Sequence, residues 1–384
     1  MSLFLHPFFF TFSTLPALPS GMPLADVHQH LEAAISTGVM QALAEKRGIP
    51  LHEAFCGSFP FQGLPHFMEH YDNLNDLYIR GQEDYALLAK DYLLRMAAEG
   101  AIYCDLIASP AHAAISGLSC EQMIDAINKA IEEAHAQTGI RATISITAVR
   151  APSNLPDAAH AGHFKKYGPD HALKYARETA ALKQSNPAKC IYLTSFGIAG
   201  NECYGGFAEF KPAIDVAREA QLIIRAHAGE VEPGSVRSAM THLNPEVIDH
   251  GLAIVRDPEL MADIAKKGIR VTSAITSNEL VAAIHAHDPA AMIENHPLWA
   301  LREAGIQVGL GGDDNLFFDT SIKNEYRKVL GAGQKRGHMQ PVAMMEFTKA
   351  AINMPFVPEW MRQELQEKVK QWERCGQPCY SERE

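Results

Sequence analysis

The sequence lacks the features of a nucleic-acid-binding, nucleotide-binding or disulfide-stapled protein. Its 384 residues carry 34 basic and 45 acidic side chains, and a net charge of −11 argues against non-specific nucleic-acid binding. Seven cysteines are scattered without a framework, which favours reduced thiols. No glycine-rich phosphate loop follows a predicted strand, so a nucleotide-binding doubly wound sheet is disfavoured. The 47% apolar fraction is enough for a sizeable core.

The chain also has little that would direct it into a membrane. Its first 21 residues are apolar and uncharged, but they lack the basic start and the Ala-x-Ala site of a signal peptide. The segment is short for a membrane span and is broken by Pro7, Pro16 and Pro19. We therefore predict a cytoplasmic protein that does not engage a membrane. Residues 1–21 are expected to be an apolar extension, from an upstream start codon or packed on the outside, and residues 22–384 one domain.

Predicted strands and helices alternate along the rest of the chain. Such alternation indicates parallel strands, and eight of them over this length predict a (β/α)8 barrel. A long helical insertion, Ser36 to about Gly100, follows the first strand, and its segment 55–65 is rich in Phe, Gly and Pro, as in a lid or a packed loop. After the first strand, which ends in His-x-His, strands are predicted at 101–108, 141–149, 190–196, 222–226, 247–248, 269–273 and 306–310.

Potential metal ligands stand at the predicted carboxyl ends of these strands, where a barrel has its active site. His28 and His30 lie two residues apart on the first strand, so they point to the same side. His227 follows the fifth strand and Asp313 the eighth. Three imidazoles and one carboxylate suit Zn²⁺ and leave a position for water, whose pKa zinc lowers to about 7. No lysine ends the fourth strand to bridge a second metal, so one zinc ion per chain is predicted.

Three more polar residues near the strand ends suggest proton transfer. His250 can act as a base or orient the water. Glu230 stands three residues after the predicted ligand His227 and is placed to give a proton to the substrate. Asp314, beside the predicted ligand Asp313, can accept a hydrogen bond from the substrate. Each has a structural explanation when taken singly, because a His after a strand is often a loop residue and paired Asp often cap a helix. Their joint placement favours chemistry.

These motifs resemble those of the adenosine deaminase family of the amidohydrolase superfamily. The similarity covers about residue 23 to beyond 330, and as a set the motifs are highly specific. The matching stretches, in family order, are HQHLEAAI at 28–35, IAGNE at 198–202, HAGE at 227–230, HG at 250–251, TSN at 276–278, HPLWALREAGIQV at 296–308 and GGDDN at 311–315.

The resemblance implies a hydrolase that acts on the C–N bond of a cyclic amidine, with a purine as its small-molecule substrate. It implies that Glu230 protonates N1 of the purine while hydroxide adds at C6, and that His250 orients the water and moves its proton. It implies one zinc ion, held by His28, His30, His227 and Asp313.

The resemblance also implies the substrate contacts. The backbone N–H of Gly200 would meet purine N3, and Asp314 would hold N7 or the water. His30 and Glu32 would also contact the substrate, and Glu32 stands where adenosine deaminases commonly have an Asp that contacts the ribose 5′-hydroxyl. The implied reaction converts adenosine or 2′-deoxyadenosine to inosine or 2′-deoxyinosine, with release of ammonia.

Departures from the family pattern leave the substrate open. The family commonly has Asp where this chain has Glu32, one methylene longer, as in adenine deaminases. Adenine, or a modified adenine or its nucleoside, is therefore the alternative to adenosine. The loop 150–169, with Lys165 and Lys166, is long enough to reach a larger or anionic substituent.

Two alternatives lie outside deamination. An amidohydrolase that cleaves an amide or lactam is disfavoured because the fourth strand ends without lysine. A non-catalytic purine-binding protein is disfavoured because Glu230 and Asp313 are both present.

Overall fold

The structure is a computed structural model that describes residues 15–56, 59, 61–151, 166–281, 293–337 and 339–375. Parts of three sequence-based expectations lie outside these ranges. They are residues 1–14 of the apolar extension, residues 57, 58 and 60 of the segment 55–65, and residues 152–165 of the loop 150–169.

Eight parallel strands form one sheet in chain order, which confirms the (β/α)8 barrel. The sheet nearly closes where the end of the eighth strand meets the first. There Asp313 donates its backbone N–H to the carbonyl of His28 (2.7 Å) and accepts one from His30 (2.8 Å). The strands are β1 Leu24–His30, β2 Ala101–Ala108, β3 Arg141–Val149, β4 Leu193–Ala199, β5 Ile223–Ala228, β6 Val247–His250, β7 Arg270–Ser273 and β8 Val308–Leu310.

Helices follow the strands, and the insertion after β1 is helical as predicted. Their ends carry ordinary capping signals. For example, Ser119 and Gln122 form a capping box at the start of one helix, and Gly139 ends it in the left-handed conformation. Among the described residues the helices are α1 Thr37–Arg47, α2 Leu64–Leu77, α3 Gln82–Ala98, α4 Pro110–Ile115, α5 Cys120–Thr138, α6 Pro169–Ser185, α7 Lys211–Glu219, α8 Pro233–His242, α9 Pro258–Lys267, α10 Ile275–Leu280, α11 Leu298–Glu303, α12 Asn315–Phe318, α13 Ile322–Lys335, α14 Met345–Ile352 and α15 Glu359–Cys375.

The observed limits of five strands, β4 to β8, differ from the prediction by one to three residues. The predicted start of the fourth strand, Cys190, lies instead in a 3₁₀ turn whose first residue is Pro187 and which Asn186 caps. The strands β5 and β6 run further than predicted, so His227 and His250 lie within strands instead of after them. Pairing with neighbouring strands sets these limits, and local sequence carries little of that information.

The described part of the N-terminal extension lies against the last helices. Arg327 of α13 donates to the carbonyls of Leu15 (2.6 Å) and Pro16 (3.0 Å), and the indole N–H of Trp372 donates to that of Ser20 (3.0 Å). The division into an extension and one domain remains a prediction. Among the residues that the structure describes, every helix falls short of the length and apolarity that a membrane crossing requires.

Candidate active site

The four predicted metal ligands converge at the carboxyl end of the barrel. The Nε2 atoms of His28 and His30 on β1 lie 3.2 and 3.1 Å from Nε2 of His227 on β5. Oδ1 of Asp313, just after β8, lies 3.2 Å from Nε2 of His28 and 3.3 Å from Nε2 of His30. The side chains from three separate strands therefore point their donor atoms at one place.

The spacing and chemistry of these four atoms fit a metal ion. Two donor atoms 3.1–3.3 Å apart can each lie about 2.0–2.1 Å from one ion, which is the Zn–N bond length. Oδ1 of Asp313 is buried without a hydrogen-bond partner among the described residues, and such an oxygen is costly unless a cation meets it. Burial lowers the pKa of His30 to about 3 and that of His227 well below its usual value. Both rings are therefore neutral, as metal ligands must be. Burial opposes the protonation of His28 too, but Asp249 and Asp313 raise its pKa to about 10, so a metal ion would have to displace that proton.

The backbone around Asp313 is held in a conformation that few residues adopt. Asp313 has a φ of 65°, and its carbonyl accepts from the side-chain amide of Gln29 (2.7 Å) as well as from the backbone of β1. A Cβ on Gly311 would lie 2.4 Å from Cβ of His28, so only glycine lets β8 approach β1 this closely. The carboxylate is thus brought to the imidazoles by the closure of the barrel.

Asp249 on β6 orients two of the ligands from behind, and the sequence analysis assigned it no role. Its Oδ1 lies 3.2 Å from Nδ1 of His28, and its Oδ2 lies 3.3 Å from Nδ1 of His227. Thr272 adds a contact of 2.8 Å to the same nitrogen of His28. Carboxylates in this position fix the orientation of a ligand ring and raise its basicity.

Arg225 in turn holds Asp249. It is fully buried on β5 and makes a two-pronged contact, with Nε 2.8 Å from Oδ2 and Nη2 2.6 Å from Oδ1 of Asp249. Its third nitrogen, Nη1, contacts the buried Asp105. Burial opposes the ionisation of Asp249, but Arg225 and the nearby imidazoles keep its pKa well below the usual range. The available sequence signal was the placement of Arg225 two residues before His227, on the same side of the strand.

Glu230 lines a cavity beside the four predicted metal ligands, in the loop after β5 whose backbone Glu202 binds. Oε2 of Glu202 accepts the backbone N–H of Gly229 (2.8 Å), and its Oε1 accepts those of Val231 and Glu232. Burial, with the nearby charges of Glu202 and Asp313, raises the pKa of Glu230 to about 8. Glu230 therefore holds a proton near neutral pH and is able to donate it.

His250 lies beside Glu230, with its Nε2 3.9 Å from Oε1 of the carboxyl group. Its φ of 67° is in the left-handed region, and the side-chain amide of Asn278 contacts Nδ1 at 3.1 Å. That contact, from the TSN stretch after β7, fixes the ring so that Nε2 faces the metal site and the carboxyl group of Glu230.

Gly200 and Asp314 also line the cavity. Gly200 has a φ of 90°, and a Cβ there would lie 2.9 Å from Cγ1 of Val149. Asp314 precedes α12 but makes no side-chain capping bond, so the helix-cap explanation does not account for it. Burial and the charge of Asp313 raise the pKa of Asp314 well above its usual value.

Glu32 is placed differently from the other predicted site residues. It is completely buried, and it is not among the described residues that line the cavity. Its Oε1 accepts from the Tyr85 hydroxyl (3.2 Å) and from the backbone N–H of Ser109 (3.0 Å), and its Oε2 accepts from the Tyr71 hydroxyl (3.3 Å). Burial raises its pKa. The protein itself thus occupies both carboxylate oxygens.

The rest of the cavity wall comes from the helical insertion and from the carboxyl ends of β3 and β4. Leu64, Phe67 and Met68 of α2 form an apolar side opposite the polar strand ends, and Tyr71 of the same helix extends it. An apolar wall with a few convergent polar groups is typical of a small-molecule site.

Comparison with known proteins agrees with this architecture. A sequence model described as "Adenosine deaminase" matches residues 23–372. The chain belongs to the adenosine deaminase family. A relative from Chelativorans sp. (strain BNC1), named adenine deaminase, is 34% identical over 348 residues, covering 90% of this chain and 97% of the relative. As a member of this family, the chain is a hydrolase that acts on C–N bonds in cyclic amidines.

Solved structures of this family share the fold. The adenine deaminase of Arthrobacter aurescens superposes with a TM-score of 0.74 at 19% identity, covering 92% of this chain and 99% of the other. An amidohydrolase from Burkholderia ambifaria with bound Zn superposes with a TM-score of 0.74 at 21% identity, covering 92% of this chain and 91% of the other. The N6-mAMP deaminase of Arabidopsis superposes with a TM-score of 0.74 at 19% identity, covering 91% of this chain and 98% of the other. At these identities the likeness concerns the fold.

Proposed function

We propose that this chain removes the 6-amino group of adenine by hydrolysis, forming hypoxanthine and ammonia, with one zinc ion per chain. The proposal thus takes the alternative substrate of the sequence analysis in place of adenosine. Relatives that match nearly the whole chain are named adenine deaminases. The observation that carries the choice is the position of Glu32. It is completely buried, it is not among the described residues that line the cavity, and Tyr71, Tyr85 and Ser109 hold its carboxyl group, so a ribose in the cavity would not reach it.

Zinc is supported by the donor set, since three imidazoles and one carboxylate are its usual ligands, and by the zinc in a structural neighbour. When bound there, it supplies hydroxide at neutral pH. His250 would orient that nucleophile toward C6 of the base through Nε2. Its ring is already fixed by Asn278, so little ordering is needed when the substrate binds.

Glu230 would donate its proton to N1 of the ring. Electrons then move from the attacked C6–N1 bond onto N1 as the oxygen adds at C6. The amino group would take the proton that the water lost to His250, and the bond from C6 to that group would break with release of ammonia. The remaining hydroxyl proton would return to Glu230 as C6=O forms. A carboxyl group whose pKa is near 8 is suited to this role, because general acids work best when their pKa lies near the operating pH.

Asp314 and Gly200 would position the base. Asp314 lines the cavity beside Asp313 and would hold N7, and the backbone N–H of Gly200 would meet N3. His30 lines the same cavity and would contact the base as well as the metal. Contacts on three sides of the ring would fix C6 relative to the nucleophile.

A nucleotide substrate receives less support from this cavity. The structural neighbours include complexes with IMP and GMP. Among the described residues that line the cavity of this chain, none is Lys or Arg. A phosphate would therefore lack the cationic partner that usually recognises it.

The test is the release of the amine by the zinc-loaded protein, measured as ammonia with adenine, adenosine and 2′-deoxyadenosine and as methylamine with N6-methyl-AMP, each substrate at the same concentration. We expect turnover of adenine, with the nucleosides and the nucleotide at least 100-fold slower in kcat/KM. Fast turnover of adenosine would show that Glu32 still serves a ribose, and the proposed substrate would be wrong.

A further inference from the structure

A buried polar cluster lies beside the cavity and has no part in the chemistry described above. It consists of Asp72 on α2, His112 on α4 and Tyr167 just before α6. The Tyr167 hydroxyl lies 2.6 Å from Oδ1 of Asp72 and 2.7 Å from Nε2 of His112, and Oδ1 of Asp72 lies 3.2 Å from the same nitrogen. The three side chains are buried, and of the three only His112 lines the cavity.

These distances assign the protons of the cluster. A tyrosine hydroxyl has one proton, and at 2.6 Å it donates that proton to the carboxylate of Asp72. The Tyr167 oxygen is then an acceptor, so the contact of 2.7 Å requires Nε2 of His112 to be the donor. A second proton on Nδ1 would have no acceptor among the described residues, so the contacts fit a neutral ring with a lone pair on Nδ1.

Among the residues that the structure describes, none makes a hydrogen bond with Nδ1 of His112, and the residue is 2% exposed. A buried acceptor without a donor is costly, and natural structures usually supply a partner, a water or a ligand. Asp72 and Tyr167 hold the His112 ring through Nε2, whereas Nδ1 on its other side has no partner among the described residues.

The position of His112 relates it to the far end of a bound base. The Tyr71 ring has its centre 6.2 Å from that of the His30 ring and 5.3 Å from that of the His112 ring. The Tyr71 ring thus contacts both imidazoles, whereas among the described residues His112 has no ring contact with any of the predicted metal ligands. His112 lies on α4, which begins just after Ser109, the residue that binds Glu32. In a purine with C6 at the metal site, N9 is at the opposite corner of the ring system.

We infer that Nδ1 of His112 accepts the N9–H of a free purine base and so selects a base over an N9-substituted nucleoside. The inference rests on the proposed function, since it takes the purine orientation from it. A nucleoside has no hydrogen on N9, so it would leave the acceptor unpaired and would bring a sugar against the Asp72–Tyr167 pair. Sites that require a hydrogen bond reject analogues lacking it far more strongly than apolar pockets reject a missing methylene.

The test is a binding titration by calorimetry of the zinc-loaded protein with purine and with 9-methylpurine, which differ only at N9. The wild-type chain should bind purine at least tenfold tighter. In His112→Leu the purine affinity should fall at least tenfold and that of 9-methylpurine less than threefold, so that the preference disappears. A preference that survives in His112→Leu, or no binding of either ligand to the wild-type chain, would overturn the inference.

Two further variants guard against a folding artefact. Tyr167→Phe keeps the acceptor of His112 but removes one of its two supports, so the preference should shrink without disappearing. His171→Leu, a half-buried histidine on α6 outside the cavity, should leave the preference unchanged. The variants are compared at equal zinc content, and the thermal midpoint of each is measured to show that it is folded. Base selection with no ammonia release from adenine would overturn the proposed function and leave this inference standing.

Discussion

The two ends of the cavity are built from different parts of the fold. At the metal end, the functional side chains come from β1, β5, β6 and β8, and the register of parallel strands sets their spacing. At the far end, the polar groups come from α2, α4 and the segment before α6, together with Glu32 in the turn after β1. We therefore propose a division of roles, in which the barrel strands supply the reaction, whereas α2, α4 and the segment before α6 supply the choice of substrate.

The strongest test of the metal end is Asp313→Ala. It removes the carboxylate of the proposed ligand set and leaves three imidazoles, so zinc content after dialysis should fall to a small fraction, and turnover with it. Elemental analysis of the dialysed protein checks this. Full zinc occupancy in the variant would place the fourth ligand elsewhere.

Glu230→Gln should separate proton donation from metal binding. The amide has the shape of the carboxyl group but no acidic proton, so kcat should fall by about 10²–10⁴-fold. Zinc content should stay at the wild-type level, because Glu230 is not a ligand. Near-normal kcat with full zinc would show that another group donates the proton.

Arg225→Met tests the support behind the metal end. It leaves Asp249 and Asp105 without their shared cation, so the orientation of His28 and His227 loosens. Loss of such a contact typically lowers metal affinity about 10–100-fold, and an unpaired buried carboxylate also costs about 3–5 kcal/mol of stability.

The measurements for Arg225→Met are zinc affinity by competition with a chelator and the thermal midpoint of the zinc-loaded protein. Arg237→Met, which removes an exposed ion pair with Asp257, is the matched control and should change neither quantity noticeably. Unchanged zinc affinity in Arg225→Met would show that Asp249 holds its position unaided.

The pH profile tests the protonated state of Glu230. Its pKa is raised, so the proton is present at low pH and lost as the pH rises through about 8. Bound zinc favours the carboxylate, so the falling limb of kcat/KM should lie at or below pH 8, with a tenfold loss per pH unit. The pH profile of Glu230→Gln should lack this falling limb of kcat/KM. An identical limb in that variant would assign it to another group.

Glu32→Gln should have the smallest effect, which marks the contrast between the two ends. Burial already favours the uncharged form of Glu32, and glutamine keeps an oxygen for Ser109 or a tyrosine. We expect zinc content to be unchanged and kcat/KM for adenine to fall by no more than about tenfold. A loss as large as that of Glu230→Gln would place Glu32 in the chemistry.

The metal end could be predicted from the sequence because its signals are local. His28 and His30 are separated by the period of a strand, and His227 and Asp313 each belong to a short motif at a strand end. The alternation of strands and helices then placed all four at one edge. Physical reasoning about periodicity and parallel sheets was sufficient for this part.

The far end could not be predicted because its contacts join distant segments. Asp72 and His112 are 40 residues apart, and Tyr167 and Asp72 are 95 apart. No spacing rule connects them, since each lies in a separate helix or loop whose packing the local sequence does not reveal. The pairing of Arg225 with Asp105, 120 residues earlier, was missed for the same reason.

The helix α2 provides the apolar wall of the cavity and Asp72, yet it contributes none of the four metal ligands proposed here. This separation has an evolutionary consequence. Substitutions in α2 can accumulate and redirect the enzyme to another amino-substituted ring while the hydrolytic machinery on the strands is left untouched. A lineage on this scaffold can thus gain a new substrate without first losing its activity.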